Sequence, residues 1–351
     1  MKILFFIELL YNAAGTERIS TDVANKLYEE THWDIKFIVL SNNTQTAFTL
    51  NPNIKVESIN GNLSSPIRSI QKLRKLIKKE TPNYVINVAT TMSRISIPAA
   101  AFTSTKVITW EHFNLHAGSK LGYSWRIISA YLSYKTIVLT NKDRNDYPKF
   151  VHNKITTIYN FPTSMKGYIS KIDSNIAITV GRLTFQKGFD MLLNVWKEVK
   201  DNGSKWTLYI IGSGEDEKAL KAKANNLHIE DSIKFIPNTP NIHEYYQKAS
   251  LYIMTSRFEG LPLVLIEAKQ MGIPCISFDC PNGPSEIIRN NVDGFIIPFK
   301  DCKAMSKSIL ELTSNRNKLK EFSTAALNDI NKRFSKDIII RQWINLLSLV
   351  K

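Results

Sequence analysis

Short runs of apolar, β-branched residues alternate with stretches of helical periodicity along the whole chain. The pattern predicts strands at Ile3–Ile7, Ile35–Leu40, Tyr84–Val88, Lys106–Trp110 and Thr136–Leu139, with helices at Thr16–Glu30, Ile67–Glu80 and Ser119–Ser133 between them. It then restarts. Ile176–Val180, Trp206–Ile211, Ile233–Ile236, Leu251–Met254 and Ile273–Phe278 read as strands, and Gly188–Lys200, Glu215–Asn226 and Pro262–Met271 as helices. Strands that are continuous apolar runs, separated by helices, predict parallel sheets covered on both faces. The polar stretch Phe161–Asp173 breaks the pattern and is expected to link two α/β domains. Residues 1–165 form the first, 174–333 the second, and 334–351 a C-terminal amphipathic helix expected to pack back on the first.

A length of 351 residues agrees with two domains. Three cysteines, Cys275, Cys280 and Cys302, form no C-x-x-C pair, so a reducing cytoplasm and no structural zinc are expected. Glu8 interrupts the first apolar run, so a buried first strand is expected rather than a signal peptide. No run approaches the roughly 20 apolar residues of a membrane span.

The formal charge is +15, which favours an anionic partner. Arg68, Lys72, Arg74, Lys75, Lys78 and Lys79 cluster on one predicted helix, whose apolar positions Ile67, Ile70, Leu73, Leu76 and Ile77 form a stripe. That basic face is either a solvated surface or an attraction to anionic lipid headgroups. Nucleic acid is not expected, because the aromatic residues are not interleaved with the basic ones.

Two constellations carry the candidate chemistry. In Phe258–Ala268, Glu259 precedes a helix opened by Pro262, and Glu267 lies inside it among Val264, Leu265, Ile266 and Ala268. A carboxylate in so apolar a helix is costly unless it is hydrogen-bonded or lines a binding site. The helical rise separates the two acids by roughly 10–12 Å, with N–H groups of the helix start between them. In Val180–Gly188, Arg182 and Lys187 follow a strand and open a helix, where a fork donor and a point charge suit a phosphate. Either constellation alone is compatible with an ordinary surface loop. Gly212-Ser213-Gly214 is not a dinucleotide fingerprint, since position 217 is Glu and not Gly. No Asp-x-Asp occurs, and no metal is expected.

Together these residues resemble glycosyltransferase family 4, through the E-x7-E run Glu259/Glu267, Gly181-Arg182 with Lys187-Gly188, and Ile210-Ile211-Gly212-Ser213-Gly214. Trp110-Glu111-His112 and Asn282-Gly283-Pro284-Ser285-Glu286 resemble its surface-polysaccharide and lipid-linked-glycan subgroup. The resemblance implies the GT-B architecture: an acceptor-binding and a nucleotide-sugar-binding Rossmann-like domain, their parallel sheets facing across a cleft. It implies that Arg182 and Lys187 stabilise the leaving diphosphate, Glu267 binds the ribose, and Glu259 contacts the donor sugar beside the reacting carbon. Gly260, Leu261, Pro262 and Leu263 line the donor, and Pro237 and Asn238 hold the base. Gly15 and Thr16 approach the donor phosphates, and His112 lies near donor sugar and acceptor. Ala14 stands where the family usually has a first glycine.

The activity so implied is that of a retaining transferase. It moves a hexose or N-acetylhexosamine from a UDP-sugar to a hydroxyl of a growing, lipid-linked glycan of surface polysaccharide, lipopolysaccharide or capsule. The partners implied are the nucleotide-sugar donor, the glycan acceptor and an anionic membrane surface at the inner face of the cytoplasmic membrane, with no cofactor. A GT-B sugar-nucleotide epimerase and a non-catalytic sugar-binding protein are the alternatives.

Overall fold

The structure, a computed structural model, describes residues 1–116, 118–162, 169–281 and 283–348. Asn282, the boundary at 165 and the end of the predicted C-terminal helix at Val350 lie outside these residues. The chain divides into two compact units: Met1–Asn160 together with the chain from Ile339 onward, and Phe161–Ile338.

The first unit is built on strands β1 Lys2–Ile7, β2 Asp34–Val39, β3 Lys55–Ser58, β4 Tyr84–Val88, β5 Lys106–Trp110, β6 Lys135–Val138 and β7 Ile155–Thr157. They form one sheet in the order β3-β2-β1-β4-β5-β6-β7, every pairing parallel. Helices α1 Gly15–Thr31, α2 Pro66–Glu80, α3 Ser93–Ala100, α4 Lys120–Leu132 and α5 Asn141–Asp146 connect them. Strands β3 and β7 and helices α3 and α5 go beyond the predicted elements. Lys55–Ser58 is an edge strand without a buried residue, so it carries no apolar run.

Helix α2 buries Leu73, Leu76 and Ile77 in a core with Leu4, Phe6, Ile38, Val85 and Ile95, each worth about 1.5–3 kcal/mol. Ile67, expected on that stripe, is exposed instead. Each three-residue step falls short of a full turn, so Ile67 is rotated roughly 120° from Leu73. Two of the six cations are also committed locally. Lys72 Nζ donates to the Asn60 carbonyl at 2.6 Å, and Arg74 donates to the carbonyls of Ala99 and Ala101 at 3.1 and 2.7 Å.

The second unit has strands β8 Ile176–Val180, β9 Thr207–Ile211, β10 Ile233–Ile236, β11 Leu251–Met254, β12 Cys275–Phe278 and β13 Gly294–Ile297, in the parallel order β10-β9-β8-β11-β12-β13. Its helices are α6 Phe189–Asp201, α7 Glu217–Asn226, α8 Ile242–Lys248, α9 Leu263–Gln270, α10 Pro284–Ile287, α11 Cys302–Ser314 and α12 Arg316–Arg333. The stretch expected to be a linker is already part of this unit at its end: Ser170 donates its N–H to the Met271 carbonyl at 2.8 Å, and Ile172 is buried. The last helix, α13 Lys336–Ser348, contributes its residues from Ile339 to the first unit. There Trp343 packs edge-on against Trp110 with centroids 4.7 Å apart, and Tyr84 Oη donates to the Leu347 carbonyl at 2.9 Å. No helix among the described residues is long and apolar enough to cross a membrane.

In each sheet the strand order reverses once, between β1 and β4 and between β8 and β11. Loops diverge at such a point and leave a crevice at the strands' carboxyl ends, where ligands of open α/β sheets bind.

Candidate active site

In the second unit the reversal point is occupied by charge. The loop after β8 carries Gly181 to Gly188, and the loop after β11 carries Thr255 to Pro262. Lys187 Nζ from the first meets Glu259 Oε1 from the second at 2.7 Å, bridging the two central strands. Both are largely sheltered, with the Lys187 side chain 17% and the Glu259 side chain 8% exposed. The expected roles on diphosphate and on sugar thus belong to two groups in direct contact. Arg182, on the same loop, is exposed.

The two loops are stitched together around that pair. Gln186 Nε2 donates to the Phe258 carbonyl at 3.1 Å, and the Gln186 carbonyl accepts the Arg257 N–H at 2.7 Å. Arg257 forks onto Asp190 at 2.8 and 2.7 Å and lies 4.0 Å from the centroid of the Phe185 ring. The hydrogen bond from Arg257 holds the Asp190 carboxyl below its ordinary range. Gly188 has φ +65°, and a Cβ there would sit 2.2 Å from the Thr255 carbonyl oxygen, so the loops close only around glycine. Arg257 and Asp190 were not among the sequence candidates. They stand 67 residues apart, and nothing local in the sequence pairs them.

Gly212-Ser213-Gly214, after β9, is a backbone-to-backbone contact. A Cβ on Gly214 would fall 2.3 Å from the Leu183 carbonyl oxygen, and Leu183 N–H donates to the Ser213 carbonyl at 3.0 Å. These glycines bring the β9 loop onto the Arg182 loop. Pro237 and Asn238 follow β10 and are exposed, and the Asn238 N–H donates to Ser213 Oγ at 3.3 Å. The expected base, phosphate and sugar positions therefore lie on consecutive loops along one sheet edge.

Helix α9 starts at Leu263, with Pro262 at the N-cap rather than in the first turn, and no side chain caps its N–H groups. Leu261 and Pro262 are buried, and Gly260 and Leu263 are partly exposed. Glu267, half-buried one turn further on, accepts a hydrogen bond from Tyr246 Oη at 3.2 Å. Tyr246 stacks on Tyr252 at 6.2 Å, and Tyr252 Oη bonds the Val180 backbone at 3.2 and 3.3 Å. Burial, reinforced by the Glu267 carboxylate, pushes the Tyr246 hydroxyl well above its ordinary pKa. It therefore donates to Glu267 at neutral pH. The helix is anchored from behind by Lys269, fully buried between Asp329 at 2.6 Å and Asp293 at 3.0 Å.

In the first unit, Gly15 and Thr16 open α1 just after the β1 loop, at the other reversal point. Ala14 is the N-cap in an extended conformation and provides no side-chain cap, and the space beside Gly15 is open. After β5, Glu111 is buried and saturated. Oε1 accepts the N–H groups of His112 and Phe113 at 3.0 and 3.1 Å, and Oε2 takes Arg126 Nε at 3.0 Å and the Thr90 hydroxyl. Burial raises the Glu111 carboxyl, while Arg126 and Thr90 pull against that rise. This clamp fixes the backbone of His112, whose ring lies 4.6 Å from the centroid of Trp110. Among the described residues His112 Nε2 is buried without a partner, and burial lowers the imidazole to about 3. It is neutral at physiological pH. Among the described residues no group of three or more His, Cys, Asp or Glu side chains is arranged to hold a metal ion.

Comparison with known proteins gives the family. Residues 160–329 match the family model described as glycosyl transferases group 1. A Haemophilus influenzae protein described as an uncharacterized glycosyltransferase is 34% identical over 361 residues, covering 99% of both chains. A Campylobacter jejuni α-1,4-N-acetyl-D-galactosaminyltransferase, whose name specifies a diNAcBac-PP-undecaprenol glycan, is 27% identical and covers 100% of this chain and 99% of its own. Among solved structures, Anabaena HepE in complex with UDP superimposes with a TM-score of 0.83 at 16% identity, over 100% of both chains. The fold is GT-B. The chain belongs to the group 1 glycosyltransferases.

Proposed function

We propose that the chain is a retaining hexosyltransferase of glycosyltransferase family 4. It transfers a hexose or N-acetylhexosamine from a UDP-sugar to a hydroxyl of a lipid-linked glycan during surface-polysaccharide biosynthesis, at the cytoplasmic face of a membrane. The observation that carries this reading is the Lys187–Glu259 pair across the reversal between β8 and β11. Arg182 stands beside it, and an uncapped helix carrying Glu267 follows. The UDP of HepE and the undecaprenol-linked glycan in the Campylobacter name support the choice of donor and acceptor.

In this reading the diphosphate settles over the β8 loop. Arg182 and Lys187 neutralise charge that grows as the glycosidic bond breaks, without a metal ion. Glu267, held by Tyr246, accepts the ribose hydroxyls, while Pro237 and Asn238 hold the base. Glu259 turns to the donor sugar, and Gly260, Leu261, Pro262 and Leu263 line it. For Gly15, Thr16 and neutral His112 the roles are those that the family resemblance implies. As the bond from the anomeric carbon to the diphosphate breaks, the acceptor oxygen bonds that carbon on the same face and gives its proton to the departing phosphate oxygen, which retains the anomeric configuration.

A panel of nucleotide sugars tested for protection against thermal unfolding decides the donor. A ligand at about 100 times its dissociation constant adds roughly 2.7 kcal/mol. Transfer of sugar from the protecting donor to a lipid-linked glycan, unaffected by EDTA and giving a product of unchanged anomeric configuration, is the expected result. No protection by any UDP-sugar, or activity lost in EDTA, rejects the assignment.

A further inference from the structure

Helix α4 packs one side into the first unit, where Ala130, Tyr123 and Ile127 join Leu115, Val138 and Val151. Its other side carries Leu121, Ile128, Tyr131 and Leu132, all exposed, Leu121 to 74%. Their spacing places them on a single stripe of the helix surface. The stripe continues onto the turn Lys149–Lys154, where exposed Phe150 packs edge-on against Tyr131 at 6.3 Å. A contiguous exposed apolar surface of this kind marks a site of interaction.

Charge identifies the partner. From His112 to Lys142 the sequence has no acidic residue and contains Lys120, Lys135 and Lys142 besides Arg126, which Glu111 holds, and the turn Lys149–Lys154 has none either. Lys154 Nζ lies 5.4 Å from the centroid of Tyr131, and Lys106 Nζ lies 4.6 Å from that of Tyr134. Such pairs keep the ammonium in the polar layer while the aromatic ring enters the apolar one. Successive right-handed crossovers from β3 to β6 place α2, α3 and α4 on one face of the sheet, and α2 packs on α3 as α3 packs on α4. The exposed cations Arg68, Lys75, Lys78 and Lys79 of α2 therefore share a face with the apolar stripe. Phe102 is fully exposed on the turn after α3, a turn braced by Arg74 of α2. A second copy of this chain would set cations against cations. An anionic bilayer satisfies both features, since its headgroups attract the lysines and its interfacial layer takes up leucine, isoleucine and aromatic rings.

We propose that the α4 face docks on an anionic bilayer by inserting Leu121, Ile128, Tyr131, Leu132 and Phe150 into the headgroup layer, with the α2 cations providing the approach. This deepens the membrane partner of the function proposed above. It differs from attraction by a basic helix alone, which salt would abolish. The test is sedimentation with vesicles of phosphatidylglycerol and phosphatidylcholine, and of phosphatidylcholine alone, at about 0.1 and about 1 M salt, where the Debye length falls from about 10 to about 3 Å.

The expected result is stronger binding to anionic than to neutral vesicles at low salt, with a fraction that survives high salt. Ile128→Ser/Tyr131→Ser/Leu132→Ser lowers partitioning at least about tenfold at both salt concentrations. Lys75→Glu/Lys78→Glu/Lys79→Glu lowers it chiefly at low salt. An unchanged melting temperature in each variant, with Leu121→Ser as a milder substitution on the same stripe, separates lost docking from lost folding. Three results overturn the proposal: wild type that ignores anionic vesicles, complete release at high salt with the α4 variants binding as wild type does, or a wild-type dimer in size exclusion that the α4 variants abolish. Vesicle binding by a protein that no nucleotide sugar protects against unfolding leaves this docking intact and rejects the transferase reading instead.

Discussion

Two acid–base pairs stand at the carboxyl ends of parallel strands in this protein, and they are used differently. Glu111 and Arg126, after β5, meet at 3.0 Å, and Lys187 and Glu259, after β8 and β11, meet at 2.7 Å. Glu111 accepts four hydrogen bonds and has nothing left to offer. Among the described residues Glu259 accepts one, from Lys187 alone. A saturated carboxylate holds backbone in place, whereas an unsaturated pair beside exposed Arg182 can exchange its internal contact for a ligand's. Burial of a charge therefore does not distinguish a structural pair from a functional one; the number of partners already engaged does.

Breaking the saturated pair is expected to have the largest effect. Glu111→Ala removes the buried carboxylate that holds Arg126, Thr90 and two backbone N–H groups, and costs about 3–5 kcal/mol of stability, read as a lower denaturant midpoint. A loss under about 1 kcal/mol would show that Glu111 is not the clamp. Arg182→Ala and Lys187→Ala each lower turnover at least about a hundredfold, or roughly 3–4 kcal/mol of transition-state stabilisation. They part company in stability. Arg182 is exposed, so its removal leaves the melting curve in place. Loss of Lys187 leaves a buried carboxylate unpaired and costs about 1–3 kcal/mol. Lys187→Met/Glu259→Gln restores stability without restoring activity. Equal melting curves for the two single variants would contradict the coupling of Lys187 to Glu259.

His112 sharpens the contrast through pH. Its imidazole titrates at about 3 when folded, against about 6.5 in an unfolded chain. Between those values the unfolded state binds more protons, so the contribution is complete above pH 6.5 and is lost as pH falls toward 3. By pH 5 the loss amounts to about 2 kcal/mol, so the stability of wild type falls relative to that of His112→Gln as pH falls. Parallel curves would place the ring in water. The smallest effects separate the two glutamates of the donor site. Glu259→Gln lowers kcat and Glu267→Gln raises the donor KM, each by about tenfold. The opposite pattern in steady-state kinetics would exchange their roles.

Much of the site is local enough to be legible along the chain. Glu259 in a loop and Glu267 in the helix that follows, Lys187 before Gly188, and glycines after β9 are features of a few consecutive residues, and α9 carries Glu267 while Glu259 stays in the loop before it. The rest required distant partners. Arg257 with Asp190 and Tyr246 with Glu267 are separated by 67 and 21 residues. Only the parallel order of the strands brings their loops side by side. Lys72 and Arg74 likewise read as free cations, because the carbonyls they hold come from a turn and from α3.

The sequence by itself determined the alternation of strand and helix, the two α/β units and the family. Backbone periodicity and short glycine-bearing loops act within a turn or two, where neighbours in sequence are neighbours in space. Only the tertiary structure decided which charges remained available. Whether a carboxylate is spent on backbone, as Glu111 is, or left with a single lysine, as Glu259 is, depends on strand order and on the elements packed above it. Desolvation and hydrogen bonding both act over the few ångströms around an atom, and the groups that fill that space come from distant parts of the chain.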